Sequence, residues 1–289
     1  MNDIRIERIT PYIFLFPAML GLLMFKLYPV FKGLEDSFYA PSFLSDSEAF
    51  IGLKNYSFLF SDPVFWNSLK ITLLFNVFIN PIQVILAFML ALLLNAKLKH
   101  IGLFRGIHFV PVAVSVSTAC ILWNIMLSPE QGVVNSMLVG LGLEQQPFLT
   151  GSKQALASII GIATWKGIGY WAIFFLAGLQ EVPVSLYEAS SIDGASRWEQ
   201  FKQVTFPMMK RSITFVAVSV TVSNFLLFSP MYILTQGGPE HSTNVLMLES
   251  YNSAFLYSDS GRASAIVIIL LLLTLSIVAM QFKFLRAKH

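Results

Sequence analysis

Charge is scarce in this sequence. Of its 289 residues, only 12% are Asp, Glu, Lys or Arg, against roughly 25% in an ordinary soluble domain. So thin a charged complement does not cover a water-soluble globule of this length, which excludes an ordinary soluble enzyme. Disorder is excluded by the opposite excess, 55% apolar and 14% aromatic residues. Cysteine is nearly absent. Cys120 stands alone, so no intrachain disulfide forms and zinc sites built on cysteine pairs are ruled out. Catalytic motifs are missing too. There is no GxxxxGK(S/T) phosphate loop, no HExxH and no GxSxG. His100, His108, His241 and His289 form no ligand-spaced cluster. No catalytic residue, metal site, resident cofactor or nucleic-acid partner is expected. Work against a gradient would draw on an ion gradient or on another chain.

What is present is apolar length. A transmembrane helix needs about 20 mostly apolar residues. Six stretches qualify, at 10–32, 69–95, 104–127, 154–179, 213–235 and 263–284. The first reads as a retained span, since its apolar run continues past a signal-peptide core and no small-residue cleavage site follows. Pro17, Pro29, Pro81, Pro111 and Pro230 fall in these spans, as membrane helices tolerate where neighbours satisfy the freed carbonyls. The expected fold is an all-α membrane protein, one domain over 1–289 with six transmembrane helices.

Lys and Arg set the expected orientation. With the N-terminus inside, Arg5, Arg8, Lys97, Lys99, Arg105, Arg197, Lys202, Lys210, Arg211, Lys283, Arg286 and Lys288 are inside. Lys32, Lys54, Lys70, Lys153 and Arg262 are outside, and Lys26 and Lys166 are within spans. Ten of the 16 acidic residues also fall outside. Both termini are therefore expected to be cytoplasmic. The outside loop 33–68 carries FIGLKNYSFLFSDPVFW, an aromatic stretch suited to the interface. The outside loop 236–262 opens on the turn signal QGGP.

The inside loop 180–212 is the most informative segment. Pro183 can start a helix through VSLYEASSID, which Asp193-Gly194 breaks. A second helical stretch places Ala195, Trp198, Phe201 and Val204 on one face, with Glu199, Gln200 and Lys202 off it. Pro207 marks the entry to the next span. Ala189, Ser190, Ser191 and Ala195 are small, so another protein could approach the backbone closely. An amphipathic interfacial helix without a partner fits the same pattern.

LYEASSIDGASRWEQFKQVTFPMM resembles the EAA loop of permease subunits in binding-protein-dependent ABC importers. The motif stands here as Glu188, Ala189, Ser190, Asp193, Gly194, Ala195, Phe201 and Pro207, with Ser190 where the family has Ala. FIGLKNYSFLFSDPVFW, LFRGIHFVP and YILTQGGP resemble the carbohydrate, maltose-permease branch, and TQGGP its F-type half. The resemblance implies a type I ABC importer permease fold in a bacterial cell membrane. It implies a second six-span permease, two ATP-binding cassette subunits carrying ATP and Mg, and an extracellular or periplasmic sugar-binding protein. Glu188 would pair with a basic residue of an ATPase cleft, Gly194 would allow the tight turn, and Trp198 and Phe201 would anchor the helix to the membrane domain.

Solute would cross between two such chains, so mid-membrane polar groups matter. Lys166 lies near the centre of the fourth span, where a charge costs about 2.5–3.5 kcal/mol on insertion scales and usually faces a cavity. Trp165, Gly167, Tyr170 and Trp171 surround it, and aromatic faces suit the C–H faces of sugars. Asn224 lies mid-span five with Val220, Leu227 and Phe228 on its side. The resemblance implies that Trp165, Lys166, Gly167, Tyr170 and Asn224 line the sugar site. Plainer readings exist: Asn224 as interhelical glue, Lys166 paired with a carbonyl or a partner's carboxylate, and Trp165 and Tyr170 as packing. Trp66 and Trp123 read as interface anchors, and Asn76, Asn80, Gln83 and Asn124 as backbone-satisfying groups. An ion-coupled secondary transporter is the alternative, disfavoured because no Asp or Glu lies deep in a span. An ABC permease for a non-sugar solute, or for an acidic sugar, stays open.

Overall fold

The computed structural model describes residues 2–40, 49–96, 99 and 101–285. Lys97, Arg286 and Lys288, used above for orientation, and His100 and His289 lie outside the described residues, as do the side chains of Arg5 and Arg8. Among the described residues the fold is helical, with a single antiparallel bridge between Tyr39 and Phe50. Five helical stretches are long and apolar enough to cross a membrane: Phe14–Asp36, Pro63–Asn95, Ala155–Gln180, Lys210–Leu234 and Ser260–Leu285. The sixth candidate, Ile101–Ala113 with Val116–Met126, is one apolar run bent by 96°. The expected straight span at 104–127 is therefore two helices. Pro111 has no N–H and its ring disfavours a regular turn, and Ser115 caps the second helix by accepting from the Thr118 N–H at 3.1 Å.

The chain forms two compact units. One holds residues 1–62 and 249–269. In it α1 (Asn2–Leu22) passes through a π-helical turn at Leu23–Leu27 into α2 (Tyr28–Asp36). The wide turn precedes Pro29, whose ring would press on the carbonyl one turn back in a regular helix. The short helix α3 (Lys54–Ser61) buries Asn55 and Leu59 and exposes Phe58 and Phe60. The Asn55 side-chain amide donates to the carbonyls of Ser37 at 2.8 Å and Tyr39 at 3.0 Å. Arg262 pairs with Asp62 and with the buried Glu249.

The other unit holds residues 63–248 and 270–289. It is built on α4 (Pro63–Asn95), α5 (Ile101–Ala113), α6 (Val116–Met126), α7 (Val133–Gly140) and α8 (Ala155–Gln180). The helices α9 (Val184–Ile192), α10 (Arg197–Gln200) and α11 (Phe206–Met208) follow, then α12 (Lys210–Phe225) and α13 (Ser229–Leu234). The expected fifth span is interrupted at 226–228, between α12 and α13. α14 (Leu246–Phe255) and α15 (Ser260–Leu285) complete the chain. Ala87, Leu90, Ala91 and Leu94 of α4 pack with Trp171, Ala172, Phe175 and Leu179 of α8 and with Val216 and Val220 of α12. Lipid is as apolar as these side chains, so close packing rather than water exclusion holds them together.

Glycines set two crossings. A Cβ on Gly169 would strike the backbone carbonyl of His108, and one on Gly178 would strike Ser212 Oγ. A Cβ on Gly161 meets nothing within 4 Å. Gly169→Ala is therefore expected to cost about 1–3 kcal/mol, because the blocking atom is backbone. Gly161→Ala should stay within about 0.5 kcal/mol. Thermal midpoints of the two solubilised variants check this; equal midpoints would contradict the close α5–α8 crossing.

Candidate functional site

Two places gather the residues singled out by sequence. The first is the segment from α9 to α11. Pro183 stands one residue before α9 as its N-cap rather than inside it. The helix ends in a Schellman arrangement. Ala195 N–H donates to Ser190 C=O at 3.0 Å and Gly194 N–H to Ser191 C=O at 3.1 Å. Gly194 takes φ +80°, a conformation open to glycine and costly for other residues. Ser196 then caps α10 with a capping box. The Glu199 N–H donates to Ser196 Oγ, and Glu199 Oε2 accepts from the Ser196 N–H at 2.7 Å. The Ser196 bonds hold the exposed Glu199 carboxyl below the usual carboxylate range. The cap is thus at full strength above that range and weakens as pH falls through the lowered value. Ser196→Ala should speed amide exchange at Glu199 and Gln200, whose N–H groups bond Ser196, about fivefold; unchanged exchange would show that the box does not hold this turn.

Contacts that the sequence did not signal fix α9 to the next stretch. Tyr187 Oη and Thr205 Oγ1 are 2.9 Å apart, and Gln200 Nε2 donates to Ser191 Oγ at 2.8 Å. Residues 201–205 form a π-helical turn just before Pro207. Phe201 leads inward: its ring lies 6.2 Å from Phe88, which meets Phe175 at 5.2 Å. Trp198 stacks on Phe201 at 5.4 Å but is itself 69% exposed, so Phe201 carries the inward contact. Glu188, Ala189 and Asp193 are exposed, while Ser190 and Ala195 are half-buried. Ile192, at the end of α9, is 87% exposed. This surface offers a carboxylate, small residues and uncovered apolar side chains on a rigid frame.

The second place is a cavity of about 310 Å³ among α4, α5, α6, α8, α12 and α13. Lys166, Gly167, Tyr170, Asn224 and Leu227 line it, together with Gln83, Trp171 and Ser223. Trp165 does not. It meets Trp123 edge-on at 5.5 Å, and that pair occupies another side of α8. Ala163, Lys166, Gly167 and Tyr170 form the i, i+3, i+4, i+7 stripe facing the cavity, and Trp165 lies off it. Trp123 is half-buried in that pair, and Trp66 is 50% exposed.

An amide network braces the cavity. Asn224 Nδ2 donates to Asn80 Oδ1 at 2.8 Å and to Gln83 Oε1 at 3.0 Å. Gln83 Nε2 donates to the Ala163 carbonyl at 3.0 Å. Asn80 Nδ2 approaches Asn76 Oδ1 and Thr221 Oγ1, and Gln281 Nε2 donates to Thr221 Oγ1 at 2.8 Å. Both amide hydrogens of Asn224 are therefore committed within the chain. A Cβ on Gly167 would come within 2.9 Å of Gln83 Nε2, so this glycine makes room for the network. Lys166 Nζ donates to the Val112 carbonyl at 3.1 Å. That carbonyl lies in the last turn of α5, where the bend ends the helical ladder, and a cation there also suits the helix C-terminus. Gln83 and the bent helix are the main elements that sequence reasoning undervalued. Pro111 next to VAVSVS was the available signal.

Residues 56–287 match the family described as the binding-protein-dependent transport system inner membrane component. The chain belongs to this family of ABC importer permeases. Similar proteins cover nearly its whole length. The probable ABC transporter permease protein YurN of Bacillus subtilis is 38% identical over 283 residues, 96% of each chain. The lactose transport system permease protein LacF of Rhizobium radiobacter is 36% identical, covering 96% of this chain and 94% of that one. The sn-glycerol-3-phosphate transport system permease protein UgpA of Agrobacterium fabrum is 33% identical, covering 96% and 95%. Among solved structures, a chain of a bacterial alginate ABC transporter in complex with its alginate-bound periplasmic protein has a TM-score of 0.83. It is 24% identical and covers 98% of this permease and 96% of that chain, which establishes the shared fold. A multi-pass membrane permease accords with the helices described above, and the family is one of transport components rather than enzymes.

Proposed function

We propose that this permease forms half of the translocation pathway of an ATP-driven importer for a sugar or oligosaccharide. The cavity carries the reading: aromatic rings of Tyr170 and Trp171 stand beside the polar groups of Lys166, Gln83, Ser223 and Asn224. Sugars present apolar C–H faces and hydroxyl edges, and such a lining suits both. Lactose and glycerol-3-phosphate transport, named for two relatives, support small polyhydroxy solutes. The second half of the pathway comes from another six-span permease. Two cytoplasmic ATPase subunits supply ATP and Mg, and an extracellular or periplasmic binding protein delivers the solute.

In this reading both termini are cytoplasmic and the membrane is the bacterial cell membrane. The segment from α9 to α11 seats in the ATPase cleft, with Glu188 facing a basic residue and Ala189, Ser190, Asp193 and Gly194 forming the close-approach surface. The Phe201–Phe88–Phe175 contacts pass ATPase movement into the helix bundle as a rigid-body switch. Trp165 acts as packing against Trp123. A tagged pull-down from gently solubilised membranes tests the assembly. Recovery of a second permease and a P-loop ATPase is expected; recovery of this chain alone would refute it.

A further inference from the structure

Among the described residues that line the cavity, Lys166 carries the sole formal charge and none is a carboxylate. Among the described residues Lys166 makes no ion pair, and its side-chain bond is to the Val112 carbonyl. That bond accounts for one donor. An ammonium has three. It accounts for the charge only in part, since the C-terminal end of α5 offers a partial negative charge rather than a full counter-charge. A neutral amide or hydroxyl would satisfy the same carbonyl without carrying a cation into the span. Donation by the neighbouring amide is already spent, because Asn224 gives both hydrogens to Asn80 and Gln83. The cavity thus holds a half-buried cation that no carboxylate among the described residues pairs, with two ammonium hydrogens uncommitted beside aromatic rings, where it can form a charge-assisted hydrogen bond.

We propose that Lys166 recognises an anionic substituent of the transported solute, so that the carbohydrate is acidic, bearing a carboxylate, phosphate or sulfonate. The inference rests on the permease reading above and deepens it. Lys166 holds Val112 with one hydrogen and meets the anion with the others. The bent α5–α6 span, whose Val112 carbonyl Lys166 holds, then lies one hydrogen bond away from the solute's charge.

The test is a cycle between Lys166 and the solute's charge in the full complex, reconstituted with its binding protein. The probes are uronate oligosaccharides and their methyl esters, sugar phosphates and their parent sugars, and non-carbohydrate phosphate and sulfonate esters. Wild type is expected to take up at least one anionic carbohydrate. Lys166→Gln should slow that uptake by about tenfold more than it slows uptake of the neutral counterpart, and Lys166→Arg should restore most of the difference. An equal loss on both members of a pair would reduce Lys166 to a brace for Val112 and overturn the inference. So would loss of the second permease from the purified Lys166→Gln complex, which would make that subunit its partner. Uptake of neutral sugars only would overturn the inference and leave the carbohydrate reading standing. Uptake of a non-carbohydrate anion only, slowed in the same way by Lys166→Gln, would uphold recognition of the anion and sink the carbohydrate reading. Uptake of no probe would sink both.

Discussion

Gly194→Pro combined with Glu188→Ala is expected to abolish ATP-dependent uptake while the chain still inserts and assembles with its partner permease. The expected fall is at least about tenfold, the loss of a coupling free energy above about 1.4 kcal/mol. Two separate physical effects combine. Gly194 sits at φ +80° and donates its N–H to Ser191 C=O. Proline fixes φ near −65° and has no N–H, so the turn that sets α9 against α10 has to open. Glu188 is exposed and makes no ion pair among the described residues, so its loss leaves the fold untouched and removes a charge offered to another subunit. The effects separate in the single variants. Gly194→Ala has open space around it and pays only the left-handed backbone penalty of about 1–2 kcal/mol, so it should retain partial uptake. Wild-type uptake by the double variant would remove the coupling role from this loop.

Asn224→Ala is expected to reduce solute-stimulated ATP hydrolysis at least about fivefold and basal hydrolysis less than about twofold. Truncation removes the amide from the cavity wall and leaves Asn80 Oδ1 and Gln83 Oε1 without their donor. A buried acceptor left unpaired costs about 1–3 kcal/mol, although hydrogen bonds between membrane helices average only about 0.6 kcal/mol in double-mutant cycles. The brace is therefore the smaller contribution. Asn80→Ala separates the two roles, because Asn80 belongs to the network but does not line the cavity. It should lower the melting temperature as Asn224→Ala does and spare most of the stimulation. Equal losses of basal and stimulated hydrolysis in both variants would make Asn224 interhelical glue alone.

The loop at 180–212 was legible because its signals are local. A Gly after a helix and a Pro ahead of a span each act within one turn of chain. The cavity was legible only in part. In a helix apolar all round, nothing in the sequence marks which side faces lipid, so the rotation of α8 could not be read. Lys166, Gly167 and Tyr170 fell on the cavity side, whereas Trp165 turned toward Trp123 and Trp171 took the cavity-lining place. Composition also hid the bend at 114–115, since the apolar run continues through Pro111. Gln83 was read as a backbone-satisfying group. That is what its bond to the Ala163 carbonyl shows, yet the same amide lines the cavity. Long-range amide pairs such as Asn80–Asn224 depend on helix packing and leave no spacing to find.

The most direct measurement is solute uptake into sealed proteoliposomes containing the purified complex with its binding protein, with ATP on the ATPase side and no ion gradient. Uptake that requires ATP, and that the Glu188→Ala, Gly194→Pro chain cannot support in an intact assembly, is the expected result. Uptake by this chain alone, without ATP and driven by a proton or sodium gradient, would contradict it.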